Sequence, residues 1–135
     1  MKIARYGTAI VILHTFVNGL HGLAHLKIPV PLSWLQSLFI GTVIFPLPIV
    51  AAILLWTQFE RLGVWLLLGA IAGSLLFGFY NHFLVISPDH VSKVAFTGWG
   101  MLFQVTAYLI LIVDSLGCWI GLWAWKALPH QEEVL

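Results

Sequence analysis

The sequence predicts an all-α integral membrane protein, folded as an up-down-up-down bundle of four transmembrane helices. Hydrophobic residues make up 61% of the 135-residue chain and charged residues only 8%, whereas a soluble domain carries about 25% charged residues. Four apolar segments are each long enough to cross a bilayer, which takes about 20 residues. Because only a few residues connect them, neighbouring helices should be antiparallel. We expect one domain over residues 1–128 and a short polar tail over 129–135.

The first predicted helix covers residues 3–26. Pro29 and Pro31 follow it, and neither residue can continue a helix. The apolar run is longer than that of a signal peptide, and no clear small-residue cleavage site follows it. We therefore expect this segment to be a retained helix.

The second predicted helix covers residues 33–57 and begins at Ser33, a suitable N-cap residue. Pro46 and Pro48 lie in its middle and lack the backbone N–H of an α-helical hydrogen bond, so we expect a kink there. The carbonyls four residues earlier, among them that of Ile44, lose these donors. Each must find another partner or face a cavity.

The third predicted helix covers residues 62–86, and the fourth covers residues 93–126. The segment 87–90, Ser-Pro-Asp-His, marks the turn between them. At about 1.5 Å per residue the fourth helix would be about 50 Å long, so it must tilt or end along the membrane interface.

Positive charge predicts the orientation of the bundle, because Lys and Arg are enriched in cytoplasmic loops. One side of the bundle carries four such residues and the other carries two. The four are Lys2, Arg5, Arg61 and Lys126, and the two are Lys27 and Lys93. We therefore expect both termini in the cytoplasm, in an inner or plasma membrane. The fourth helix would then bring Asp114 near the cytoplasmic boundary, where Arg5 or Arg61 is the expected partner.

A polar stripe follows one face of the first helix. It consists of His14, Asn18, His21 and His25, spaced by four, three and four residues. At about 100° per residue these positions fall within a stripe about 60° wide. Ionisable side chains are costly in a bilayer and tend to face the bundle interior, a cavity or a ligand. The stripe should therefore point inward.

The distance of each residue below the outer end of its helix gives its depth in the membrane. These depths group the polar stripe with residues of the third helix and the following turn. His21 lies about 8 Å and His82 about 6 Å below the outer ends of their helices, so they stand at similar depth. A histidine-rich pocket is therefore expected in the outer half of the bundle. The predicted metal ligands are His14, His21, His25, His82, His90 and Asp89. The residues expected to orient them by hydrogen bonding are Asn18, Gln36, Asn81 and Gln104.

The chemistry of this pocket favours a transition metal. Neutral imidazole is the commonest metal ligand, and His21 and His25 have the i, i+4 spacing of paired zinc ligands. Cys118 is the single cysteine of the chain, so nitrogen and oxygen ligands dominate, which suits Cu, Fe or Zn. Haem is the less favoured alternative to a bare metal ion, with His21 and His82 as its axial ligands.

Three function classes follow from this pattern. The first is metal handling or redox work at the histidine site. The second is a cofactor-free structural or accessory subunit of a larger membrane complex, with polar residues that serve helix packing. The third is an oligomeric transporter or channel. The expected partners are the lipid bilayer and other membrane subunits or further copies of the chain, and no basic run indicates nucleic acid. Whether the chain is an enzyme stays open.

Overall fold

Four long helices dominate the structure, a computed structural model that describes residues 1–128. Every element within these residues is helical, and four helices are long and apolar enough to cross a membrane. They are α1 (Lys2–Lys27), α2 (Trp34–Leu54), α3 (Glu60–Leu84) and α4 (Trp99–Ala127). The prediction of an all-helical chain with four candidate membrane spans is therefore confirmed. The predicted polar tail, 129–135, lies outside the described residues.

Helix α2 combines three helical segments. The hydroxyl of Ser33 accepts a hydrogen bond from the backbone N–H of Gln36, and the Gln36 side chain accepts one from the backbone N–H of Ser33, which forms a capping box. Trp34–Phe39 is α-helical, Ile40–Ile44 forms a π-helical turn, and Pro46–Leu54 is α-helical again. The wide turn ends directly before the two prolines, where α-helical hydrogen bonding cannot continue.

Helix α3 also ends in a wide turn. Its α-helical part, Glu60–Phe79, passes into a π-helical turn at Tyr80–Leu84. A 3-10 turn at Val91–Lys93 follows, and α4 begins only at Trp99, later than the sequence predicts. The cause is Gly98, whose φ of 51° lies far from the α-helical value of about −63°. The helix therefore cannot extend back through this residue.

Helices α1, α3 and α4 pack closely around an apolar core. Val64, Leu67 and Ile71 on α3 are completely buried. A Cβ atom placed on Gly117 of α4 would lie 2.8 Å from a methyl carbon of Ile71, so glycine permits the close approach of these two helices. Large apolar side chains also cover much of the outside of the bundle, as a lipid-facing surface requires. They include Ile12, Leu76, Ile112 and Trp119.

Candidate metal centre

Three imidazoles from two helices converge in the bundle. His21 and His25 lie one turn apart on α1, and His82 lies in the π-helical turn at the end of α3. Within residues 1–128, these three form a group whose potential ligand atoms all lie within 4.8 Å of one another. The Nε2 atoms of His21 and His82 are 3.1 Å apart. Two nitrogens bound at about 2.0–2.1 Å to a tetrahedral ion stand about 3.3 Å apart, so the three histidines are near enough to bind a metal ion.

The hydrogen bonds of His21 determine which of its nitrogens is free. The hydroxyl oxygen of Thr106 lies 2.6 Å from the carbonyl oxygen of Leu102, so the single hydroxyl proton is donated to that carbonyl. The same hydroxyl oxygen lies 2.8 Å from Nδ1 of His21 and must accept a hydrogen bond there. In a neutral imidazole one nitrogen donates and the other accepts. Nε2 of His21 therefore carries a lone pair.

The hydrogen bonds of His82 show that its Nε2 also carries a lone pair. Its Nδ1 lies 3.0 Å from the backbone carbonyl oxygen of Asp89, which can only accept. Nδ1 of His82 is therefore the donor, and Nε2 carries a lone pair. The two Nε2 lone pairs of His21 and His82 consequently face each other across 3.1 Å. With these tautomers, a positively charged species between the two nitrogens, either an additional proton or a metal ion, would satisfy both lone pairs.

Asp89 provides a negative charge beside the same group. Its Oδ1 atom lies 3.3 Å from Nε2 of His25 and 3.3 Å from Nδ1 of His82. This carboxylate oxygen is buried and makes no hydrogen bond to any residue in 1–128. A buried carboxylate without a full partner is costly, so its position favours a cation at the three imidazoles.

His25 presents one nitrogen to Asp89 and keeps the other free. Its Nδ1 is buried and has no hydrogen-bond partner in the described part of the chain. Each of the three imidazoles therefore directs one nitrogen towards a protein oxygen and leaves the other uncommitted. Metal-binding histidines usually show this arrangement, because the outer contact fixes the tautomer and the ring orientation.

Comparison with known proteins gives no independent guide to this centre. No family model, no curated protein and no solved structure shows a significant match to the chain. The tautomers, distances and burial of the three histidines are thus the grounds on which a function can be proposed.

Phe103 of α4 covers the group from one side. Its ring centroid lies 4.8 Å from that of His21, 5.1 Å from that of His25 and 5.4 Å from that of His82. Phe103 is completely buried, so it restricts both the movement of the imidazoles and the access of water. Thr106 lies one turn further along α4, and neither residue belongs to the predicted site. A comparison of depths from the sequence misses Thr106, because a helix that starts at residue 93 places it about 20 Å deep, whereas the observed start at Trp99 places it about 10 Å deep, close to His21.

His14 lies deeper and belongs to a different contact. Its Nδ1 is 2.7 Å from Oδ1 of Asp114, and its Nε2 donates to the carbonyl oxygen of Ile44 at 2.8 Å. Both His14 and Asp114 are completely buried. The expectation that the Ile44 carbonyl finds a new partner, because Pro48 supplies no N–H, is confirmed. The structure does not bring His14 into the three-histidine group.

The expected pairing of Asp114 with Arg5 or Arg61 is wrong. Because α4 begins at Trp99, Asp114 lies only about 22 Å along the helix axis rather than at its far boundary. His14 lies about 20 Å from the end of α1 at Lys27, which is a similar depth. A buried carboxylate therefore meets a buried imidazole instead of an arginine at the surface.

His90 also lies outside the three-histidine group. Its Nδ1 is 2.8 Å from the hydroxyl oxygen of Ser92, and its Nε2 is 3.2 Å from the carbonyl oxygen of Phe83. Both ring nitrogens are thus engaged, one within the segment that connects α3 to α4 and the other by the last turn of α3. His90 holds that segment in place, beside the residue that supplies the carboxylate.

None of the residues expected to orient the imidazoles hydrogen-bonds to a ring of the three-histidine group. Asn18 donates to the backbone carbonyl of His14 at 3.0 Å, and its amide nitrogen also lies 3.2 Å from Nδ1 of the His14 ring. Gln36 donates to the side chain of Asn81 at 2.8 Å and so joins α2 to α3. Gln104 donates to a backbone carbonyl of the segment before α4 at 2.6 Å. The contacts that orient His21 and His82 come instead from Thr106 and the Asp89 backbone.

A cavity of about 300 Å³ adjoins the three histidines. His21, His25, His82 and Asp89 form one part of its wall. The remainder is mostly apolar and includes residues of α1, α2, α3 and α4. The three imidazoles are therefore next to free space in the bundle.

Proposed function

We propose that this protein binds one transition metal ion through His21, His25 and His82, and that the ion serves metal handling or redox chemistry in a membrane. The observation that supports it best is the pair of facing Nε2 lone pairs, 3.1 Å apart. A bound cation satisfies both nitrogens at once, while Thr106 and Asp89 hold the opposite nitrogens as donors. We assign the third ligand to Nδ1 of His25, because this nitrogen has no hydrogen-bond partner within the described residues.

The ligand set favours Cu, Fe or Zn. It consists of imidazole nitrogens with a carboxylate nearby, which suits these borderline metals better than Mg or Ca. Three histidines also leave a fourth coordination position open, as in zinc sites that act on a substrate. That position would face the cavity, so the ion would be accessible to a small molecule.

Haem fits the same residues less well than a bare ion. Two axial histidines must stand on opposite faces of the macrocycle. The His25 ring, with centroids 4.9 Å from His21 and 6.0 Å from His82, and the buried Phe103 ring fill the space around the facing nitrogens. A macrocycle would have to displace both rings.

The arrangement in the membrane forms part of the same proposal. We propose that the four helices alternate in direction, that α2 kinks at Pro46 and Pro48, and that both termini lie in the cytoplasm of an inner or plasma membrane. The metal centre then lies in the outer half of the bundle. The excess of Lys and Arg at one end of the helices supports this orientation. Lipid is the main partner, with other membrane subunits or a further copy of the chain beside it.

A metal titration with a matched histidine control tests the proposal. Protein carrying an affinity tag without histidine is purified in detergent, treated with a chelator and titrated with Cu²⁺ and Zn²⁺. His82→Gln removes a ligand, whereas His90→Gln removes a histidine of the neighbouring segment whose nitrogens are already engaged. We expect one ion per chain in the unsubstituted protein and in His90→Gln. His82→Gln should lose more affinity than the about 10- to 100-fold that loss of an outer contact causes.

Two results would overturn the proposal. One is unsubstituted protein that takes up neither ion, which would mean that an additional proton satisfies the facing nitrogens and that the polar residues serve helix packing. The other is an equal loss of affinity in both variants, which would place the bound ion elsewhere.

A further inference from the structure

We infer that the cavity beside the three histidines is a binding chamber for a small, neutral, mostly apolar molecule that enters from the membrane and coordinates the bound ion. This inference rests on the metal centre proposed above and adds the class of molecule that meets the metal.

The size and the wall of the cavity fit an apolar ligand. Its volume of about 300 Å³ lies at the lower end of the range of ligand pockets, about 300–1,000 Å³. The polar residues of its wall are the three histidines and Asp89, with Asn18 and Ser74 deeper in the bundle. The apolar part of the wall includes Leu26, Val30, Leu32, Ile40, Phe77 and Ile110. A charged or strongly polar molecule would lose its hydration along this wall without replacement.

A buried hydroxyl marks a second polar point on the cavity wall. Ser74 lines the cavity and is 1% exposed, and its Oγ atom has no hydrogen-bond partner within the described residues. It lies about 12 Å from His82 along the axis of α3. Because an unsatisfied buried hydroxyl is unfavourable, a ligand with a hydrogen-bonding group distant from its metal-ligating atom would satisfy it.

The outer part of α2 leaves an entrance to this cavity. No residue of the segment Trp34–Phe39 is buried. The segment is joined to α3 by Gln36 and by the stacked rings of Phe39 and Phe77, whose centroids are 4.8 Å apart. None of its residues lines the cavity, whose α2 wall begins only at Ile40. Leu26 of α1 lines the cavity and is nevertheless 84% exposed, so the cavity opens beside it, on a surface that lipid would cover.

Gly22 provides a way to fill the cavity without removing a ligand. It lines the cavity between His21 and His25, and a Cβ atom placed on it meets nothing within 4 Å. Gly19, about one turn earlier, also has nothing within 4 Å of such an atom, but it does not line the cavity. Gly22→Leu therefore reduces the chamber, and Gly19→Leu is the matched control.

The experiment uses two imidazole probes on protein loaded with Co²⁺ or Cu²⁺ in a single detergent. Imidazole and 4-phenylimidazole both coordinate the ion, but only the second has an apolar ring for the chamber. Binding is followed by the shift of the d–d absorption bands. We expect 4-phenylimidazole to bind at least about tenfold more tightly than imidazole, in the unsubstituted protein and in Gly19→Leu. Gly22→Leu should keep its metal content and lose this preference.

A third probe tests the hydroxyl. In 4-(4-hydroxyphenyl)imidazole a phenol group stands opposite the ligating nitrogen. We expect this probe to bind more tightly than 4-phenylimidazole, and we expect Ser74→Ala to abolish the difference while the affinity for 4-phenylimidazole stays the same.

The outcomes separate this inference from the metal proposal. Protein that binds no metal overturns both. Protein that binds metal but shows no preference for 4-phenylimidazole, or shows the same preference in Gly22→Leu, overturns the chamber alone. An unchanged preference for the phenol probe in Ser74→Ala overturns the assignment of Ser74.

Discussion

Thr106→Val should weaken metal binding although Thr106 touches no metal. Valine has nearly the same shape as threonine but lacks the hydroxyl oxygen that accepts from Nδ1 of His21 at 2.8 Å. In the variant His21 can carry its proton on Nε2 instead and donate it to Nε2 of His82, 3.1 Å away. The metal-free state then no longer contains two facing lone pairs. A metal ion must displace this hydrogen bond before it can bind.

The size of the effect follows from the hydrogen bond that is lost. When the variant binds metal through Nε2 of His21, the proton must lie on the buried Nδ1, which then has no acceptor. This costs about 1–3 kcal/mol, which corresponds to about 10- to 100-fold in metal affinity. Thr106→Ser keeps the hydroxyl and should retain most of the affinity. The affinity is measured in competition with a chelator at fixed pH, for Zn²⁺ or Cu²⁺.

Thr15→Val is the matched control for this measurement. The hydroxyl of Thr15 is buried but has no hydrogen-bond partner within residues 1–128, so its removal should leave metal affinity unchanged. The reasoning would be refuted if Thr106→Val bound metal as tightly as the unsubstituted protein. It would also be refuted if Thr15→Val and Thr106→Val lost affinity equally.

Three further predictions concern the charges around the three-histidine group and around the contact between His14 and Asp114. Asp89→Asn removes the carboxylate charge 3.3 Å from two imidazoles and should weaken Zn²⁺ binding by about tenfold or more in the same chelator competition. Asp114→Ala leaves buried His14 without its partner and should lower the thermal unfolding temperature, since breaking a buried pair costs about 3–5 kcal/mol. Its metal content should stay the same, and a loss of metal would contradict the separation of the two contacts. Metal affinity should fall as pH falls, because protons compete for the imidazole nitrogens. Calorimetry in two buffers with different ionisation enthalpies should show protons released on binding, and an affinity independent of pH would contradict imidazole ligation.

Much of the three-histidine group could be predicted from the sequence, because helical geometry determines which residues share a face and which lie at a similar depth. The i, i+4 spacing places His21 and His25 on one face of α1. The similar depths of His21 and His82 allow a histidine of α3 to meet a histidine of α1. The structure gives the remaining information, the 3.1 Å separation of the two Nε2 atoms. No pattern in the sequence fixes such a distance, since it depends on how closely two helices pack.

The start of α4, the partner of Asp114 and the position of His90 could not be predicted, because all three depend on the segment that connects α3 to α4. Residues that belong to no regular helix have no periodicity from which their positions can be read. The positive φ of Gly98 moves the start of α4, and this shift changes the depth of Asp114 enough to reach His14. His90 lies in the same connection, and its hydrogen bonds to Ser92 and Phe83 depend on the local backbone rather than on helix depth.

X-ray absorption spectroscopy of the metal-loaded protein tests the central claim most directly. Imidazole rings give a characteristic scattering pattern that allows them to be counted around the ion. We predict three imidazole nitrogens at about 2.0–2.1 Å from Zn²⁺, with a smaller number in His82→Gln and an unchanged number in His90→Gln. An ion surrounded by oxygen ligands, or a spectrum that is the same in all three proteins, would contradict metal binding by His21, His25 and His82.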